Sequence, residues 1–116
     1  MNENRIDDYK RGLDMVLYNK LVRDRIPDII ISNGEIPITR VLDDAEYSAL
    51  LEKKLDEEVA EFHECRNIEE LADILEVVYA LSEVQGYSVD ELLNVYQKKH
   101  NDRGGFSEKI FLIGKE

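Results

Sequence analysis

DDAEYSALLEKKLDEEVAEFHECRNIEELADILEVVYALSEVQ, residues Asp43–Gln85, decides the fold. Two amphipathic helices are legible in it, each opened by a cap residue with Glu three positions later: Asp43 with Glu46, and Asn67 with Glu70. The first is predicted over Ala45–Glu64. On its wheel Leu51, Leu55, Val59 and Phe62 fall within an arc of roughly 80°. The second is predicted over Ile68–Gln85, where Gly86 supplies a stop. Its apolar face comprises Leu71, Ile74, Val77, Val78, Leu81 and Val84.

Outward from this pair, Ser88 with Glu91 opens a third helix over Val89–Arg103, closed by Gly104-Gly105. The following FSEKIFLIGKE has the length and apolar content of one strand. It is a candidate to pair with the β-branched segment IPITRVL, Ile36–Leu42, as a small two-stranded element. Upstream, Leu21, Val22, Ile26, Ile29 and Ile30 recur at near-helical spacing with Pro27 as an interruption, and Asn33-Gly34 closes that element. Residues 1–16 are read as a flexible arm and residues 17–116 as one mainly helical, all-α domain.

Composition narrows the function. The 116 residues carry a formal charge of −11, which speaks against a nucleic-acid-binding surface, whose affinity comes mainly from clustered Lys and Arg. An acidic excess suits a protein that collects divalent cations. The single cysteine, Cys65, excludes an intrachain disulfide and points to a reducing compartment. No signal-like or membrane-length apolar run occurs, so a cytoplasmic location is expected. A core this small is commonly supplemented by oligomerisation.

The acids are not distributed as surface acids should be. Glu58 lies at the edge of the first helix's apolar arc, with Glu61 about 60° further on. Glu70 falls within the second helix's apolar face, and Asp73 lies between the directions of Val84 and Ala80. Glu69, Glu76 and Glu83 stack on the opposite, solvated side, as Glu52 and Asp56 do on the first helix. Burying an unpartnered carboxylate costs several kcal/mol or forces its neutralisation. Basic partners, shared protons or a bound cation could each answer that cost. Both pairs, Glu58/Glu61 and Glu70/Asp73, are spaced i,i+3, which sets their Cβ atoms roughly 5–6 Å apart on adjacent turns. Four such carboxylates across a helix pair offer the hard oxygen ligands that Mg²⁺ prefers. Histidine is absent from these positions, which speaks against zinc or di-iron. His63 and His100 sit outside the apolar faces and are read as exposed.

KLDEEVAEF (Lys54–Phe62) followed by EELADILEV (Glu69–Val77) resembles the EExxE…ExxD signature of the all-α nucleoside triphosphate pyrophosphohydrolases, the group of MazG-like and phosphoribosyl-ATP pyrophosphohydrolase proteins. YNKLVRDRIPDII (Tyr18–Ile30) and KKHNDRGGF (Lys98–Phe106) look like the flanks of small stand-alone members. The resemblance covers about Leu17 to Leu112. It implies a MazG-like helical bundle that assembles as a homodimer or homotetramer. It also implies Mg²⁺, with Mn²⁺ as a substitute, on Glu58, Glu61, Glu70 and Asp73, and Glu57 assisting as a base or behind the ligands. A nucleotide substrate would be cut between its α and β phosphates. One departure is the spacing: eight residues separate Glu61 from Glu70, fewer than in many relatives, which requires a tight turn around Cys65-Arg66-Asn67.

Phosphate contacts must come from few bases. Lys54 lies one turn before Glu58 and either bridges a carboxylate to a phosphate or forms a plain i,i+4 ion pair. Lys98, Asn101 and Arg103 at the end of the third helix are further candidates, against the alternative of cations complementing the helix dipole. Lys20 and Arg23 are candidates from the upstream segment. Two other readings keep part of this pattern: the same metal centre acting on phosphoribosyl-ATP or another diphosphate linkage, and a helical oligomerisation or regulatory module without turnover.

Overall fold

The computed structural model describes residues 15–116. The described residues form four helices and no strand: α1 Ile26–Ser32, α2 Asp44–Cys65, α3 Ile68–Val84 and α4 Val89–Arg103. The all-α class follows directly. Most of the arm expected over 1–16 lies outside the described residues. The chain divides into two units with a boundary between Arg40 and Val41, inside the stretch read as one domain from its sequence.

In the first unit, Pro27 starts a helix and does not interrupt one. It stands in the first turn of α1, where its missing N–H has no intrahelical partner to lose and its fixed φ suits the helix. Leu21 and Val22 therefore fall outside the helix. The expected Asn33-Gly34 turn is present, with Gly34 at φ 83° and its N–H donating to the Ile31 carbonyl at 2.9 Å.

The second unit is built on three caps, all at the residues expected. The Glu46 N–H donates to Asp43 Oδ1 at 2.8 Å, and the Glu70 N–H donates to Asn67 Oδ1 at 3.0 Å. At α4 the bond is reciprocal: the Glu91 N–H donates to Ser88 Oγ at 3.1 Å and the Ser88 N–H to Glu91 Oε1 at 3.3 Å. Arg66, at φ 54° and ψ 36°, ends α2 in the left-handed region, and its N–H donates to the Phe62 carbonyl at 2.8 Å. Only Arg66 and Asn67 separate α2 from α3, so the chain doubles back and the two helices pack as a hairpin. Gly86 at φ 90° and a buried Ser82, whose Oγ donates to the Tyr87 carbonyl at 3.1 Å, hold the next turn. Among the described residues α4 packs on α3 and makes no comparable contact with α2.

Leu51 and Val77, 4% and 8% exposed, are the buried apolar side chains of the described residues. The rest of the apolar faces read on the wheels is half-buried, except for Val59, Leu71 and Val84, which are exposed, as are Leu93, Val95 and Tyr96 on α4.

The two-stranded element is not formed. No residue of 36–42 or 106–116 is in a strand, and Phe106 and Ile110–Ile113 are 80–98% exposed. High β-propensity does not make a strand without a partner for its backbone groups, and even an isolated pair is marginal in water.

Candidate metal centre

The hairpin delivers three of the four expected carboxylates to one place. Glu58 comes from the middle of α2, and Glu70 and Asp73 from the first two turns of α3. A carboxylate oxygen from each lies within 4.8 Å of the others. The short connection explains this proximity. A reversal two residues long places the start of α3 opposite the last turns of α2, and the i,i+3 spacing keeps Glu70 and Asp73 on one side.

Glu58 is 6% exposed, the most deeply buried charged residue of the described chain. Its Oε1 lies 3.4 Å from Lys54 Nζ. Its Oε2 is buried and accepts no hydrogen bond, and the same holds for Glu70 Oε2. Burial raises the Glu58 carboxyl above its ordinary value, and the neighbouring Glu61 carboxyl adds to the shift. Lys54 opposes both. Two buried, unsatisfied carboxylate oxygens in an all-oxygen cluster are what a hard cation such as Mg²⁺ answers; they fit its donor preference and exclude a thiolate- or imidazole-based site.

The other residues singled out fall elsewhere. Glu61 is exposed beside Glu58 and is not one of the three that converge. Glu57 is partly exposed, its Oε2 4.0 Å from Lys54 Nζ. Lys98, Asn101 and Arg103 are exposed near the end of α4, where the Asn101 side-chain oxygen accepts from Gln97 Nε2 at 2.9 Å. Lys20 and Arg23 are exposed in the first unit, with Lys20 Nζ 5.6 Å from the centre of the Tyr18 ring. His63 is exposed beside Phe62, and His100 is exposed and stacked on Tyr96. Cys65 is an exposed free thiol at the end of α2. Glu69, Glu76 and Glu83 face solvent, as their wheel positions require. Ser82 had no distinguishing signal, because its role depends on a carbonyl in the following turn.

Comparison with known proteins is short. Over 42 residues, 36% of this chain, the sequence is 60% identical to an uncharacterised protein of Mycolicibacterium smegmatis (strain ATCC 700084 / mc(2)155). The matched region makes up 43% of that protein, so the chain spans less than half of the relative's length. No family model matches the chain, and no solved structure matches it. Among the described residues no helix is long and apolar enough to cross a membrane.

Proposed function

We propose that this chain is a Mg²⁺-dependent nucleoside triphosphate pyrophosphohydrolase of MazG-like fold that releases nucleoside monophosphate and pyrophosphate. The observation that carries the reading is the meeting of Glu58, Glu70 and Asp73 within 4.8 Å, with buried oxygens of Glu58 and Glu70 left unsatisfied. The residues that hold the cation are Glu58, Glu70 and Asp73, with Glu61 joining from the exposed side. Bound there, Mg²⁺ supplies Lewis-acid chemistry: it lowers the pKa of a water and offsets charge on the leaving pyrophosphate. Glu57, next to Glu58 in sequence and with Oε2 4.0 Å from Lys54 Nζ, would serve as the base in this reading.

The protein functions as a homo-oligomer in this reading. Its described core is two apolar side chains, and Leu71, Val84, Leu93 and Val95 are open on α3 and α4. A second copy is the surface that would cover them and shape the nucleotide pocket.

The test is pyrophosphate release from a panel of ribo-, deoxyribo- and modified triphosphates, with Mg²⁺ or chelator, for wild type and Asp73→Asn. Even the outer partners of metal ligands are worth roughly 10–100-fold, so loss of a direct ligand should cost at least about 100-fold while helix content stays intact. Wild-type turnover in the variant would sink the assignment. The same exposed apolar faces favour a second reading, an oligomerisation module. It predicts silence across the panel, phosphoribosyl-ATP included, together with altered assembly in the variant.

A further inference from the structure

We infer that Lys54 is the resident counter-ion of the acidic cluster, which yields Glu58 to a divalent cation and then receives a phosphate oxygen of the bound polyphosphate. The inference rests on the metal-site reading above and deepens it.

The geometry begins with reach. Lys54 lies one turn before Glu58 on the same face of α2, and its Nζ stands 3.4 Å from Glu58 Oε1 and 4.0 Å from Glu57 Oε2. Its side chain is 20% exposed and that of Glu58 is 8% exposed. This is therefore not the solvated i,i+4 pair that contributes little. The ammonium faces the most enclosed member of the cluster, leaving the other oxygen of Glu58 without a hydrogen bond. A divalent cation on Glu58 would do the same work at closer range and would repel the ammonium. Lys54 is free to answer because four rotatable side-chain bonds let Nζ swing without movement of the helix, and its three donors suit a phosphate as well as a carboxylate. A polyphosphate held by the cation brings that phosphate to the neighbourhood of Glu58, where the displaced ammonium already lies.

The consequence is a reversal of sign. Without phosphate Lys54 competes with the cation and weakens its binding. With phosphate present Lys54 and the cation hold the same anion, so each strengthens the other's hold.

The test measures Mn²⁺ binding by electron paramagnetic resonance, alone and with inorganic pyrophosphate, for wild type, Lys54→Met and Asp73→Asn. Lys54→Met should bind Mn²⁺ about two- to fivefold more tightly than wild type without pyrophosphate and about two- to fivefold more weakly with it. Equal affinities in both conditions, or a change of the same sign in both, would reduce Lys54 to a structural ion pair and overturn the inference alone. Absence of Mn²⁺ binding in wild type, or unchanged binding in Asp73→Asn, would overturn the metal site and the inference with it. Lys54→Gln, which keeps a polar head, repeats the comparison if the methionine variant loses helix content by circular dichroism.

Discussion

The α2–α3 hairpin and the α4–tail end belong to one unit but solve different problems. In the hairpin a two-residue reversal brings long helices together, buries Leu51 and Val77, and gathers three acids at one spot. Beyond it, α4 rests on α3 alone among the described helices and has no buried residue. The tail after it carries four consecutive exposed apolar residues, Ile110–Ile113. Both regions are rich in apolar side chains and all three helices are N-capped. Capping and amphipathicity therefore create helices, but burial requires an extensive facing surface, and among the described residues the α2–α3 pair has the larger one.

The largest expected effect separates the two regions by core packing. Leu51→Ala should destabilise the fold by about 2–4 kcal/mol, because it opens a cavity where little else is buried. Phe111→Ala should change stability by no more than about 0.5 kcal/mol in dilute solution and act on self-association instead. Urea unfolding and sedimentation, run on both variants, check the contrast. If Phe111→Ala is as costly as Leu51→Ala, the tail is packed in the folded monomer and the comparison breaks.

A smaller effect probes the reversal that brings α3 back onto α2. Asn67→Ala removes a cap bond and should cost about 1 kcal/mol. Arg66→Gly relieves a left-handed backbone at φ 54° and should stabilise by up to about 1 kcal/mol. Opposite signs in thermal melts of two adjacent substitutions would sharpen the claim that this connection sets the hairpin.

The smallest effect is electrostatic. Burial and Glu61 raise the Glu58 carboxyl, so folding favours its protonated form. That contribution is fully present below the ordinary carboxyl range and is lost as pH rises through the raised value. Glu58→Gln is neutral throughout and does not suffer the loss. In chelator, the Tm of Glu58→Gln minus that of wild type should therefore grow as pH rises above the ordinary carboxyl range. A flat difference would mean that Glu58 is not strained by its surroundings. Added Mg²⁺ should narrow the gap at neutral pH by restoring wild type.

The sequence by itself determined the helices and their ends. Asp43, Asn67 and Ser88 cap where their spacing to Glu requires, because an N-cap bond spans three residues and needs no tertiary partner. The solvated Glu69, Glu76 and Glu83 and the inward Glu58 and Glu70 were equally legible, since helical periodicity is local. Only the tertiary structure decided what depends on a second surface. Pro27 starts α1 because the described residues 15–25 before it are not helical, which the apolar spacing of Leu21 and Val22 did not reveal. The tail is no strand, because no partner strand forms among the described residues. Glu58 is enclosed while Glu61 is exposed, although one i,i+3 step separates them, because the helix that packs on α2 covers only part of its circumference. Periodicity names the face of a helix; the extent of the neighbour decides which residues on that face lose water.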